Sequence, residues 1–247
     1  MVAGGGTDAV LSRLLHVPET GSTNADLRQL AEAGGEDGLW LRADRQTAGR
    51  GRQGRDWSSP SGNFYGSTLV RLRPGDPMAA TLALVAAVAI EEAVRACLPE
   101  VGSRLALKWP NDLLIDGAKL SGILLERTGD AIVIGMGVNL ASAPNLSDRA
   151  TAALGDHGVA VPPAEMQALL ADAMTRWVAI WRTQGLAAVI TRWEARAHRR
   201  GTPLTAKLPD GQVLTGTFHG LASDGALRLG LADGSVHVIH AGDIFLV

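Results

Sequence analysis

Four short apolar runs between residues 105 and 140 constrain this fold more than any other stretch. LALKW (105–109), LLID (113–116), KLSGILLE (119–126) and AIVIGMGVNL (131–140) are separated by Pro110-Asn111-Asp112, Asp116-Gly117 and Thr128-Gly129-Asp130. Such runs joined by turn-forming residues predict neighbouring antiparallel strands in a meander. Around them the pattern is mixed. A Gly-rich opening reads as loose, and residues 22–33 read as a helix whose N-cap oxygens come from Ser22, Thr23 or Asn24 and whose apolar stripe is Leu27, Leu30 and Ala31. Residues 38–44 read as a strand, 45–63 as an Arg- and Gly-rich loop, 64–72 as a strand and 78–97 as a buried helix. Two more helices follow, one from Pro162-Pro163 with Leu170, Met174, Trp177 and Trp181 at helical spacing, and one over 186–199 with Val189, Ile190 and Trp193 inward.

At Gly201 the texture changes to about five short strands punctuated by Pro209-Asp210-Gly211, Asp224-Gly225 and Asp233-Gly234. A small SH3-like β-barrel is the natural reading. The expected fold class is therefore α+β. A mixed or antiparallel sheet with flanking helices fills residues 1–200, and a C-terminal SH3-like barrel fills 201–247.

Composition excludes several functions. With 46% hydrophobic and 19% charged residues in 247, the chain can bury a core and is not disordered. A net charge of −2 offers no bulk attraction to nucleic acid. The terminal strands carry only Lys207 and Arg228 against four Asp, and no basic recognition helix is visible. Cys97 stands alone, which fits a reducing compartment. The start, MVAGGGTDAV, lacks the pattern of a signal peptide. The longest apolar run, Met78–Ile90, is 13 residues, where a membrane span needs roughly 20. A soluble cytoplasmic protein is expected, without DNA or membrane as partner. No metal-ligand set is read: the six His are scattered, and His237 and His240 face opposite ways in a strand.

Two segments carry chemistry. In QTAGRGRQGRDW (46–57), G49-R-G51-R-Q-G54 formally matches a dinucleotide fingerprint. That fingerprint must open a helix after a strand, whereas this one runs into Ser58, Ser59, Pro60 and Gly62. No P-loop and no kinase motif set accompanies it. Arg50, Arg52 and Arg55 with interleaved glycines suit closure over an anion, because guanidinium is planar, always charged and bidentate. The alternative is a solvated basic loop. In KWPNDLLIDGAKLSGILLE (108–126) stand two of the chain's three lysines, Lys108 and Lys119, against twenty arginines elsewhere. Lysines surviving such a bias mark places for a compact, mobile ammonium, unless they survive by chance. Strand alternation puts Lys119, Ser121 and Ile123 on one face, with Gly122 leaving ligand room on the other.

Ser22-Thr23-Asn24, GRGRQGR (49–55), KWPND (108–112), KLSGIL (119–124) and IGMGVN (134–139) together, in this order, resemble the signature motifs of biotin–protein ligases. Their catalytic domain is of the class II synthetase-like biotin/lipoate ligase type, and the helices and terminal barrel extend the resemblance to the C-terminus. Only about 20 residues precede Ser22, too few for a three-helix DNA-binding unit at a typical ~12 residues per helix, so the expected form is the monofunctional one. The resemblance implies ATP-dependent activation of biotin to biotinyl-AMP with Mg²⁺, then transfer to a lysine of a biotin-carboxyl-carrier protein or domain, by a monomer or weak homodimer.

By resemblance, Ser22, Thr23, Asn24 and Gln46 contact the biotin ureido group. Arg50, Gly51 and Arg52 close over biotin and adenylate, and Lys119 reaches the carboxylate and α-phosphate. Arg55, Lys108 and Asn111 belong to the nucleotide side. Asn139 either contacts adenine or ends a strand. Asp112 either orients the acceptor amine's proton or caps a turn. Ser121 stands where the family often has Ala. The rivals are a lipoate or octanoate attachment enzyme on the same scaffold, a biotin-responsive repressor, and a nonenzymatic adaptor.

Overall fold

The computed structural model describes residues 14–98 and 104–246, and its first element is one the sequence reading missed. Leu14–Thr20 (β1) is a strand. It falls where the sequence predicts only a loose opening, and residues 1–13 lie outside the described residues. β1 contains Pro18 and exposes much of its surface. Both features hide a strand from hydrophobic patterning and belong at a sheet edge, where a missing N–H costs nothing. It pairs in parallel with Trp40–Gln46 (β2).

Thr23–Glu32 (α1) connects them, with the Ser22 side chain accepting from the Ala25 amide at its N-terminus. Phe64–Arg71 (β3) and Leu82–Cys97 (α2) follow. The predicted meander is present as Leu105–Lys108 (β4), Asp112–Ile115 (β5), Ala118–Thr128 (β6) and Ala131–Val138 (β7), all antiparallel. The sheet order is β1-β2-β3-β7-β6-β5-β4, so the sheet is mixed, with one parallel pair at its edge.

The two faces of this sheet are covered unequally. One is packed by α2 and by Pro163–Gln184 (α3), and Leu186–Glu194 (α4) packs on those two helices, with Trp181 and Trp193 fully buried. On the other, Leu27 and Ala31 of α1 pack on Leu41, Leu69, Ala131 and Val133. α1 has only 10 residues, about 15 Å of helix at ~1.5 Å per residue, so the rest of that face is left open as a cleft. Within the helical layer, Glu91 is wholly buried on α2 and ion-pairs with Arg95, Arg192 and Arg196. Burial of a carboxylate is tolerable only with such partners, and here they fasten α4 to α2.

α4 ends at Glu194 rather than running to 199. The chain leaves the helix because its backbone is used elsewhere: the Leu107 amide donates to Arg196 O at 2.8 Å, and Ala197 bridges to Leu107 in parallel. Ile190 is half-buried, while Val189 and Trp193 point fully inward.

The C-terminal strands are five, as expected: Pro203–Lys207 (β8), Val213–Leu221 (β9), Leu227–Gly230 (β10), Val236–Ile239 (β11) and Asp243–Leu246 (β12). They form one antiparallel sheet in the order β11-β10-β9-β8-β12. Among the described residues no pairing joins its edge strands β11 and β12 into a closed barrel. Its apolar face is continuous with the main core: Phe218 meets Trp193 at 6.3 Å between ring centres, and Trp109 Nε1 donates to Gly225 O at 3.1 Å. Among the described residues no helix is long and apolar enough to cross a membrane.

Candidate active site

The open half of the sheet face is a cleft of about 630 Å³, within the usual range for small-molecule sites. Ser22, Thr23, Asn24, Gln46, Arg50, Gly51, Arg52, Arg55, Lys108, Asn111, Asp112, Lys119 and Asn139 all line it. The residues selected from sequence thus meet in one place, although they are spread from residue 22 to residue 139.

One end of the cleft is neutral and polar. The N-terminus of α1 buries Ser22, Thr23 and Asn24 against the sheet. Thr23 donates from its amide and hydroxyl to Gln46 Oε1 at 2.9 and 3.1 Å, and Gln46 Nε2 donates to Ser59 Oγ at 3.1 Å. Ser67 Oγ lies 2.7 Å from Thr23 Oγ1 and 2.6 Å from Asn24 Oδ1. Gly135 faces the Asn24 amide so closely that a side chain there would displace it. Tyr65 donates to Pro60 O at 2.8 Å, and burial pushes its phenol up to about 12, so it stays protonated. These are amides and hydroxyls with no net charge, suited to a neutral heterocycle.

The middle of the cleft is cationic around one buried carboxylate. Asp112 lies 2.7 Å from Lys119 Nζ and 3.2 Å from Lys108 Nζ. Lys108 and Asp112 face each other across the β4–β5 pair. Lys119 arrives by a different route. The β5–β6 register shifts so that Leu113 opposes Ser121 while Leu114 opposes Lys119, which leaves Leu120 as an extra residue. The bulge breaks the expected alternation. Lys119 does not share a face with Ser121 and Ile123, which turn to the core side, but reaches the space above Gly122. Its Nζ lies 3.2 Å from where a Cβ on Gly122 would stand.

Electrostatics follow from that burial. Desolvation alone would raise the Asp112 pKa, but the ammonium groups of Lys119 and Lys108 outweigh it and hold the carboxyl below its ordinary value of 3.8. Burial lowers the Lys119 pKa below 10.5 against the pull of Asp112, and the charges of Lys108 and Arg149 lower it further. His198, behind Lys108, is pushed down to about 4 by burial and then by that lysine, so it is neutral at pH 7.

The Arg- and Gly-rich loop closes the cleft from above. The backbones of Arg50 and Asp56 form an isolated antiparallel bridge, the Gly51 amide donates to Arg55 O at 2.7 Å, and residues 52–54 make one tight turn with Gln53 at a φ of 57°. Arg52 Nη1 donates to Asn111 Oδ1 and Nη2 to Gly242 O, both at 3.2 Å. Arg52 and Arg55 both ion-pair with Asp243 of β12. Asn111 itself is anchored by donating to Ile123 O at 2.7 Å.

The residues 17–139 match the family described as biotin/lipoate A/B protein ligases, and 201–247 match the biotin protein ligase C-terminal domain. A biotin--[acetyl-CoA-carboxylase] ligase of Paracoccus denitrificans is 42% identical over 92% of this chain and 97% of its own. The chain belongs to the biotin/lipoate A/B protein ligase family. In structure, it is similar to a biotin protein ligase from Aquifex aeolicus in complex with biotin and ATP, with a TM-score of 0.84, 24% identity and coverage of 95% and 99% of the two chains. It is also similar to a Leishmania major biotin protein ligase in complex with biotinyl-5-AMP, with a TM-score of 0.67, 27% identity and coverage of 93% and 99%.

Several cleft residues of this family member escaped sequence reading. Trp57 lies on a floor made by Gly122 and Gly137, which pair across β6 and β7; a Cβ on Gly137 would come within 2.5 Å of the indole. Lys119 Nζ stands 5.4 Å from the same ring. The signal was available, since a Trp closes the Arg/Gly segment and glycines recur at 135 and 137. Outside the cleft lining, Asn63 accepts three backbone amides, from Leu140, Ala141 and Ser142, at 2.9, 2.8 and 3.1 Å. Asn139 Nδ2 donates to Ala152 O at 3.1 Å, bracing the segment that follows β7 against the cleft. Asp243 carried no local signal at all.

Proposed function

We propose that the chain is an ATP-dependent ligase that activates biotin as biotinyl-AMP and transfers it to a lysine of a biotin-carboxyl-carrier domain of a carboxylase. The observation that carries this reading is one cleft with a neutral hydrogen-bonding end and a buried Lys119–Asp112–Lys108 group beyond it. Family membership and the Paracoccus relative support it. In the first step a biotin carboxylate oxygen bonds to the α-phosphorus of ATP, and the bond to the β-phosphate oxygen breaks to release pyrophosphate. In the second, a neutral lysine amine attacks the acyl carbon; AMP leaves and the amine sheds a proton.

On this reading Ser22, Thr23, Asn24 and Gln46 hold the ureido group, with Gln46 exchanging its present partners for it. Lys119 sits between carboxylate and α-phosphate and cancels charge as it redistributes. Arg50, Gly51 and Arg52 cover the adenylate, while Arg55, Lys108, Asn111 and Asn139 line the nucleotide side. Asp112 is ionised and orients cations: Lys119 now, and the acceptor ammonium as it loses its proton.

Mg²⁺, which the resemblance implies, is typically held by substrate phosphates, water and one or two carboxylates rather than by an all-protein cage. Among the described residues no three acidic, His or Cys side chains cluster, and Asp112, Asp148 and Asp243 are each ion-paired. No step is assigned to it. Residues 1–200 form the catalytic unit and 201–247 a barrel-like unit that supplies Asp243 to the cleft. A monomer or weak homodimer in the cytoplasm, without DNA as partner, completes the reading.

The deciding experiment is pyrophosphate exchange with biotin or lipoate, followed by transfer to a carrier domain. Exchange with biotin is expected. Exchange with lipoate alone would overturn the substrate, and a salt-dependent DNA shift would revive the repressor reading. Arg52, tied to Asn111 and Gly242, keeps the loop shut. Arg52→Gly is therefore expected to leak biotinyl-AMP, read as biotin appearing on unrelated proteins such as serum albumin. Leakage equal to that of the unaltered protein would remove this role.

A further inference from the structure

Glu126 on β6 and Ser67 on β3 stand behind the neutral end of the cleft rather than in its lining. The sequence reading singles out neither, yet both bond to Asn24. Asn24 Nδ2 donates to Glu126 Oε2 at 2.7 Å and to Leu124 O at 3.4 Å. The first distance lies within the usual range for an N–H···O bond and the second beyond it, so the carboxylate is what holds the amide. Its other oxygen, Oε1, stands 3.7 Å from Arg28 Nη1, in a pair whose side chains are 25% and 41% exposed. A long pair at the surface contributes little, and it leaves Oε2 to Asn24.

Counting protons gives these bonds a direction. A carboxylate can only accept, and so can an amide oxygen. With Nδ2 turned to Glu126, Asn24 Oδ1 faces Ser67 and takes the single Ser67 hydroxyl proton at 2.6 Å. Ser67 Oγ then has none to give Thr23 Oγ1, 2.7 Å away, so that contact is made with the Thr23 proton. Gln46 Oε1, at 3.1 Å, competes for the same proton. On either acceptor the proton is held by the protein, and Thr23 offers the cleft lone pairs only. Ser67 and Thr23 are 0% and 3% exposed, so bulk water does not set the direction of the chain. The carboxylate at its end does.

We propose that Glu126 is a positioning residue: it fixes a hydrogen-bond chain running from Thr23 through Ser67 and Asn24, and so makes Thr23 an acceptor that selects a heterocycle bearing N–H. The inference rests on the ligase reading above, in which a ureido group lies at this end. A ureido ring brings two N–H donors. The dithiolane ring of lipoate brings none and would leave a buried acceptor unsatisfied. Without the carboxylate the Asn24 amide is free to turn over. Nδ2 then donates to Ser67, Ser67 to Thr23, and the Thr23 proton points into the cleft, where it opposes an N–H.

The test is pyrophosphate exchange by Glu126→Leu and Glu126→Gln, beside a thermal melt, with biotin and with biotin methylated at either ureido nitrogen. Glu126→Leu is expected to raise KM for biotin by about 10- to 100-fold, the range for one hydrogen bond to a charged group. KM for ATP, and kcat at saturating biotin, stay at the values of the unaltered protein. Glu126→Gln still presents an oxygen to Asn24, and a neutral acceptor is roughly half as strong, so its KM for biotin rises by about 3- to 10-fold. Methylation at one of the two nitrogens weakens binding to the unaltered protein. That preference for biotin shrinks in Glu126→Leu, where the bond blocked by the methyl group is already lost. An unchanged KM for biotin, or an unchanged preference over both methylated forms, would overturn the proposal. So would an equal rise in KM for ATP, since Glu126 would then only fasten α1 to β6. If Glu126→Leu melts below the assay temperature, the split between the two KM values in Glu126→Gln decides. If the unaltered protein shows no biotin-dependent exchange, the ligase reading fails, and this is seen before any variant is compared.

Discussion

Lys119→Ala is expected to abolish biotin-dependent pyrophosphate exchange and to leave the protein folded. On the proposed reading the first step forces a carboxylate against a polyanion, and Lys119 is the buried cation beyond the neutral end of the cleft. Removing one preorganised contact of this kind typically costs about 10²–10³ in rate. Here the loss is at the upper end, because the ammonium sits in a buried site where charge is poorly screened. Folding survives because Asp112 keeps Lys108 at 3.2 Å, so no buried carboxylate is orphaned. Lys119→Arg restores little. Its broader fork must fit beside the Trp57 ring on the same Gly122 floor, where the ammonium now stands 5.4 Å from the ring centre. The measurement is exchange rate beside a thermal melt. Near-normal exchange, or a melt showing collapse of the fold, would each remove Lys119 from this role.

How much of this was legible in the sequence depends on whether a constraint was local. The Arg/Gly segment and the paired lysines each combine unusual residue types within a few positions, while Ser22, Thr23, Asn24, Gln46, Asn111 and Asn139 are selected by the resemblance of their motifs to a family; all of these line the cleft. The meander was legible because its turns are made of Pro, Asn, Asp and Gly. What was missed depends on pairing between distant parts of the chain. Pro18 and an exposed surface hid β1, whose status as a strand comes from β2. The face of Lys119 depends on a bulge created by the partner strand β5. The end of α4 is decided by β4. Asp243 acts on Arg55 from 188 positions away, a distance no motif spans. Ser121 followed its predicted face, and its hydroxyl is buried on the core side without a hydrogen-bond partner; nothing in the structure explains why Ala does not stand there.

Asp112→Ala is expected to cost more stability than any other change in the cleft. Removing one partner of a buried ion pair costs about 3–5 kcal/mol, because the remaining charge is left uncompensated. Here two ammonium groups are left facing each other in a site they share only by virtue of the carboxylate. For a chain of this size that is a fall in Tm of roughly 6–20 °C. The pH dependence distinguishes this cause from simple loss of packing. In the unaltered protein the Asp112 pKa is below 3.8, so its contribution is present above that value and is lost as pH falls through the lower folded one. In the variant the lysines take over. Without Asp112 to support it, the folded-state pKa of Lys119 drops further below 10.5, so the folded state binds fewer protons than the unfolded chain. Stability then rises with pH between the two values, so the deficit is smaller at pH 9.5 than at pH 7. Adding Lys119→Met to Asp112→Ala is expected to recover part of the loss at pH 7, because one of the two stranded charges is gone. Urea denaturation of both variants at the two pH values reads this directly. A deficit that does not change with pH, or a double variant no more stable than the single one, would show that Asp112 fills space rather than balancing charge.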